Sequence, residues 1–151
     1  MGKGTVEVDS KAIMDKFEEL KLTSAEYRKS LRSAIRRALG ILRNAVRRGA
    51  ARVTSNSEKQ RKGVNIVVYR NGAGGQVNIY KAFYLSSGKV FTLRWLERGT
   101  SDVTGRNGRK HGATPAKPFF NSSVSSASPA ARSALSDEIL SAIDKVASKR
   151  K

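Results

Sequence analysis

Residues 23–53 read TSAEYRKSLRSAIRRALGILRNAVRRGAARV, and the spacing within them decides how the rest of the chain must fold. Tyr27, Leu31, Ala34, Ile35, Ala38, Leu42, Ala45, Val46, Gly49 and Val53 recur every three or four residues, which is the period of one helix face. Thr23 followed three positions later by Glu26 fits a capping box, in which the two side chains satisfy backbone N–H groups at the helix start. At about 1.5 Å per residue the predicted helix spans roughly 45 Å. Gly40 and Gly49 each cost about 1 kcal/mol relative to alanine inside a helix, so they are expected to mark close packing or a bend.

The other face of this helix carries Arg28, Arg32, Arg36, Arg43 and Arg47. Like charges four apart destabilise an isolated helix by a few tenths of a kcal/mol each. Two readings stand side by side: a solvated face that keeps the protein dispersed, or a basic face that meets a partner.

Outward from the helix, residues 1–22 hold a short edge strand at 4–8 and a short helix from Asp9 or Ser10 to Leu20, with Ile13, Phe17 and Leu20 on one side. Residues 54–62, TSNSEKQRK, contain no apolar side chain and read as an exposed connection. Val64, Ile66 and Val68 then alternate with polar neighbours, NGAGG at 71–75 turns the chain, and Val77, Ile79 and Phe83 resume the alternation. Ser86, Ser87 and Gly88 make a second turn into Val90, Phe91, Leu93, Trp95 and Leu96. The expected fold is therefore α+β: an antiparallel β-meander of three to four strands over residues 63–100, packed against the long N-terminal amphipathic helix, with a C-terminal helix. The glycines at 72, 74 and 75 do not make a nucleotide-binding loop, because that loop joins a strand to a helix and this one joins two strands.

Residues 101–117 form a basic, glycine-rich loop, and 118–147 a helical region. In it Pro118 suits a first helical turn and Pro129 begins the final helix, before a basic tail at 148–151. At 151 residues the chain is most economically a single domain, 1–151.

Composition narrows the classes of function. There are no cysteines and a single histidine, His111, which excludes a disulfide framework, makes a zinc site improbable and argues for a reducing compartment. The first residues, MGKGTVEVDSKA, lack the apolar core of a signal peptide, and no apolar run is long enough to span a bilayer, so the chain reads as soluble and unexported. Thirty Lys and Arg against twelve Asp and Glu give a net charge of +18. Twelve of those cations and only two carboxylates fall in residues 23–62, and residues 106–117 add four cations with no carboxylate. Such a field attracts nucleic acid, acidic protein or anionic lipid alike. No catalytic constellation accompanies it: Asp137 and Glu138 point to different helix faces, and His111 lies in the loop without an evident carboxylate to orient it. The expectation is a protein that is not an enzyme and carries no cofactor or metal.

The most distinctive stretch is WLERGTSDVTGRNGRKHGATPAKPFF, residues 95–120. Leu96, Glu97, Gly99, Thr100 and Ser101, followed after the loop by Pro115, Ala116, Lys117, Pro118, Phe119 and Phe120, resemble the paired motif of the tail-completion family of long-tailed bacteriophages. These are small minor tail or head-tail joining proteins. The resemblance covers roughly residues 23–147, with a basic helix, an antiparallel sheet, the paired motif and a C-terminal helix in that order.

It implies a structural protein of the virion neck or tail, present in the host cytoplasm during assembly and forming a hexameric ring. Its neighbours would be a head-closure or connector protein and a tail terminator or tail tube protein, with double-stranded DNA passing through the lumen. The arginine stripe and the loop cations Arg106, Arg109 and Lys110 would then face neighbouring subunits, adjacent rings or DNA.

Read physically, Gly99 permits a turn closed to other residues, and Thr100 and Ser101 can satisfy backbone groups nearby. Glu97, between Arg94 and Arg98, suits an ion pair with the arginine stripe or with a neighbouring subunit. Phe119 and Phe120 either both enter the core or divide between the core and a partner. The rival class is a small basic DNA- or RNA-binding protein that sets Arg28, Arg32, Arg36, Arg43 and Arg47 against phosphates. The arginine helix offers only Tyr27 as an aromatic, on its apolar stripe, and so lacks the stacking residues of single-strand binders.

Overall fold

The long helix, α1, runs from Ser24 to Ala51 in the computed structural model, which describes residues 4–7, 24–70, 72, 74–104, 108 and 110–148. The short helix expected before Leu20, the capping residue Thr23, Arg106, Arg109 and the tail beyond Ser148 lie outside the described residues. The buried arc of α1 is wider than the predicted stripe. Leu39 and Ala50 join Leu31, Ala34, Ile35, Ala38, Leu42, Ala45 and Val46 in the core. An arc of that width covers two large neighbours at once, the sheet and the C-terminal helix, while the short helix at Ser57–Gly63 folds back on the C-terminal end of α1.

On one flank lies a three-stranded antiparallel sheet of β1 (Gly4–Glu7), β2 (Asn65–Val68) and β3 (Gly74–Asn78), in the order β1-β3-β2. The chain therefore contributes its N-terminal strand to an edge, as the sequence suggested. Helix and sheet touch at Gly75, where a Cβ would lie 2.5 Å from Leu39 Cδ1 and 2.6 Å from the Val67 carbonyl oxygen. No larger residue fits between them. The other flank of α1 meets the C-terminal helix, which runs from Phe120 to Ser148 and makes the most extensive contact in the molecule. Gly49 is the close approach there, 3.3 Å from Phe119 once a Cβ is added, whereas Gly40 has nothing within 4 Å and marks no contact.

Four local expectations are corrected. Residues 54–62 are not wholly an exposed connection, because Ser57–Gly63 form a short helix, α2, whose first turn is capped by Asn56 Oδ1 accepting from Lys59 N at 3.0 Å. The run after Ser87 does not supply a third meander strand. Val90–Phe91 (β5) pairs only with Phe83–Tyr84 (β4) in a separate hairpin, and Arg94–Arg98 form a helix, α3. Leu93 is fully buried and Leu96 lies three residues on against the same core, while Trp95 is half exposed. The apolar positions obey a period near three, not two. Thr92 fixes this turn by donating from Oγ1 to the Ile79 carbonyl at 3.1 Å.

Pro129 does not begin the final helix but sits inside it, with Pro118 two residues ahead of Phe120. A proline cannot donate to the carbonyl four residues back. That carbonyl belongs to Ser125, which lies with Pro129 on the exposed side of the helix. Ala127, Ala131, Leu135 and Ile139 carry the buried face straight through the interruption, since tertiary packing supplies most helix stability. Finally, the 101–117 stretch contains a short hairpin of β6 (Val103–Thr104) and β7 (Lys110–His111). With α4 denoting Phe120–Ser148, the α+β class stands as expected.

Candidate functional site

Two places gather the sequence-predicted residues, and they differ in kind. The first is a joint between the halves of the paired motif. α4 begins after Phe119, whose side chain offers no oxygen to the free N–H groups of the first turn, and that turn holds no acidic residue. Glu97 supplies the missing acceptor from α3: its Oε2 receives the N–H of Phe119 at 2.7 Å and of Phe120 at 3.0 Å. A carboxylate there also favours the positive end of the helix dipole. Within the chain this corrects the expected ion pair with the arginine stripe, because Glu97 serves a helix N-terminus instead.

Around that cap the two segments are laced by backbone. Lys117 N donates to the Leu96 carbonyl at 2.8 Å, and Thr100 and Thr114 exchange N–H···O bonds of 2.9 and 3.1 Å. Gly99 lies at φ +72°, and a Cβ there would stand 2.6 Å from the Thr114 carbonyl oxygen and 2.8 Å from Ala116 N. The end of α3 thus needs glycine for its conformation and again for space. Phe119 and Phe120 are both in the core, at 4% and 1% exposure, so neither is left for a partner. Ser101, Pro115, Ala116, Lys117 and Pro118 are exposed.

The second place is a groove of about 470 Å³ between the C-terminal half of α1, α2, β2 and the segment leading to β4. Arg43, Arg47, Arg61, Lys62 and Lys81 line it beside the ring of Phe83, with no carboxylate in the lining. Lys62 is held by Glu58 at 2.8 Å. Arg47 Nη2 donates to the Arg61 carbonyl at 2.8 Å. The Nε atoms of Arg43 and Arg47 are buried and have no hydrogen-bond partner. Burial, then the charges of Arg43 and Arg61, push the Arg47 guanidinium below its ordinary value.

The predicted arginine stripe is therefore divided. Arg28, Arg32 and Arg36 are exposed, with Arg32 donating to the Arg70 carbonyl, while Arg43 and Arg47 turn half-buried into the groove. Arg37, from another face of α1, pairs with Glu138 of α4 at 2.6 Å. Lys110 is exposed on β7, away from these contacts.

Sequence reading missed Arg61, Lys62 and Lys81 as partners of Arg43 and Arg47. Their charges were visible, but only the fold-back of α2 onto α1 brings them together. Phe83 likewise brings to the basic surface the aromatic ring that the arginine helix lacks.

A bracing contact closes the neighbouring surface. Glu58 accepts the backbone N–H of Ser86 at 3.0 Å and its hydroxyl at 2.6 Å, tying the β4–β5 turn to α2. Hydrogen bonds from Lys62 and Ser86 hold the Glu58 carboxyl down to about 2. Among the described residues no three His, Cys, Asp or Glu side chains gather as a metal site, and no helix is long and apolar enough to cross a membrane. No protein-family model, curated protein or solved structure matches the chain.

Proposed function

We propose that this chain is a structural component of the neck of a tailed phage or prophage, completing or joining the tail by assembling into a ring. The observation that supports this reading is the joint. Every residue that carries the resemblance lies in or beside one contact, where Glu97 caps α4 and Gly99 meets Thr114–Ala116. Such a joint has no chemistry of its own; it fixes the end of α3, the start of α4 and the β6–β7 hairpin between them. A protein that acts by assembly needs that kind of fixed frame, since a closed ring presents two different surfaces of each subunit to its neighbours. The basic hairpin and the exposed arginines of α1 are the surfaces assigned to those contacts.

The experiment is analytical ultracentrifugation and negative-stain microscopy of the purified full chain, alone and with the products of the flanking genes. Closed rings, and flanking genes for portal, head-closure and tail-tube proteins, are expected. A chain that stays monomeric under every one of these conditions, with unrelated neighbours, sinks the reading.

A second reading, nucleic-acid binding, is favoured by a separate observation: five cations converge on the α1–α2 groove with two buried guanidinium nitrogens unmatched. The two readings are compatible, because a neck ring encloses DNA.

A further inference from the structure

We infer that the groove between α1 and α2 is a binding site for the phosphodiester backbone of nucleic acid, with Arg43, Arg61 and Lys81 as its contacting cations and Arg47 as its floor. The inference rests on the nucleic-acid reading and sharpens it, because it moves the site off the exposed stripe, where sequence alone would put it.

Three observations carry it. Arg43 and Arg47 stand four residues apart on one helix and face Arg61 and Lys81 across a shared cavity. Like charges brought together in this way repel, and Glu58, the carboxylate in the adjoining pocket among the described residues, is engaged by Lys62 and Ser86. The Nε groups of Arg43 and Arg47 are shielded from solvent without acceptors, and a buried donor left unmatched is costly to folding. A non-bridging phosphate oxygen supplies the missing negative charge and accepts several N–H groups at once, and the shielded Nε groups can join it only if the guanidinium groups turn outward as it binds.

Chain shape favours a polymer over a single ion. The cavity shares Arg47 and Arg61 with an adjoining open pocket lined by Ser57, Gln60, Ser86 and Glu58, whose carboxylate is taken up by Lys62 and Ser86, so a second phosphate can be accommodated beside the first. Phe83 at its wall gives a base or sugar an apolar surface, which an acidic peptide does not require. The arginine forks suit phosphate geometry, where a lysine-only patch would act as point charges.

The test compares two charge-matched variants of the full chain. Arg43→Gln/Arg61→Gln/Lys81→Gln empties the groove of its contacting cations, and Arg28→Gln/Arg36→Gln/Arg48→Gln removes three exposed ones from α1. Each loses three positive charges. Fluorescence anisotropy follows binding of a short labelled duplex and of the matching single strand over a salt series starting at about 0.05 M.

The groove variant is expected to bind at least ~10-fold more weakly at fixed salt, with the slope of log K against log[salt] reduced by about 2 to 3. The stripe variant is expected to change affinity by less than about threefold. Equal losses in both would leave nucleic-acid binding in place and overturn the groove as its site. Absence of binding by the unaltered chain at ~0.05 M salt would overturn the reading and the site together.

Competition by polyglutamate as strong as by polyphosphate of equal charge would overturn the phosphodiester assignment in favour of an acidic protein. Should thermal unfolding show the triple groove variant misfolded, Lys81→Gln alone carries the test. Lys81 is exposed, and the same slope must then fall by about 1.

Discussion

The joint at Glu97–Gly99 and the groove at Arg43–Arg47 lie on one small protein and treat their polar groups in opposite ways. In the joint donors meet acceptors: two helix N–H groups meet one carboxylate, Thr100 and Thr114 exchange bonds, and Lys117 N finds the Leu96 carbonyl. In the groove, cations face cations and two guanidinium nitrogens are buried without partners. Matched groups are what folding selects, because an unmatched buried donor costs about 1–3 kcal/mol. The contrast assigns the joint to holding the fold and the groove to meeting something outside the chain. It also separates the residues that carry the resemblance from the residues best placed to bind.

The comparison breaks most readily at the joint. Phe120 is fully buried at the start of α4, and Phe120→Ala is expected to cost about 3–5 kcal/mol in urea denaturation. Gly99→Ala follows at about 3 kcal/mol, since the new methyl must be accommodated at positive φ and against the backbone of Thr114 and Ala116. Gly40→Ala is its control. Nothing lies within 4 Å of that position, and the change is expected to stabilise by about 1 kcal/mol. If Gly99→Ala left stability unchanged, the joint would lose its role as the frame.

Glu97→Ala removes the borrowed cap and is expected to cost about 2 kcal/mol, with Glu97→Gln near 1 because the amide oxygen still accepts. Glu58 offers a pH test of the neighbouring brace. Its carboxyl is held at about 2, below the ordinary 4.5, so the stability it contributes is complete above 4.5 and is lost as pH falls toward 2. Acid unfolding of the unaltered chain should show that loss, and Glu58→Gln should flatten it. An unchanged acid profile in the variant would show that the Glu58–Ser86 contact does not hold the β4–β5 turn.

Much of the frame was legible in the sequence because long amphipathic helices announce themselves by spacing. Leu31, Ile35, Ala38 and Leu42 mark α1, and Leu135 and Ile139 mark α4. The edge strand β1 and the β2–β3 hairpin were legible as well, but the segment after Ser87 was not, for a physical reason. Leu93 and Leu96 lie among Val90, Phe91 and Trp95, and five apolar residues in seven satisfy a strand period and a helix turn equally well. Packing on the core and the Thr92–Ile79 bond decide between them.

The paired motif could be noticed in one dimension, but its content could not. That Glu97 caps a helix 22 residues later depends on where α3 points. The groove was half visible, as Arg43 and Arg47, and its other wall depends on α2 folding back.

The smallest expected effect is the one whose sign separates the two regions. Arg43→Met keeps the apolar stem of the side chain and removes its charge and its unmatched Nε. Arg43 and Arg47 are a like-charge pair four apart on a helix, a spacing that costs about 0.2–0.5 kcal/mol. Relief of that repulsion, together with removal of a buried unmatched donor, is expected to stabilise the chain by about 0.5–1 kcal/mol in low-salt urea denaturation. Sulfate should raise the stability of the unaltered chain more than that of the variant, because an anion that binds only the folded groove stabilises it by mass action. The difference between the two chains should therefore shrink as sulfate is added. A loss of stability in Arg43→Met at low salt, matching in sign the losses at Gly99 and Glu97, would mean that the groove cations hold the fold as the joint does, and the division between frame and site would disappear.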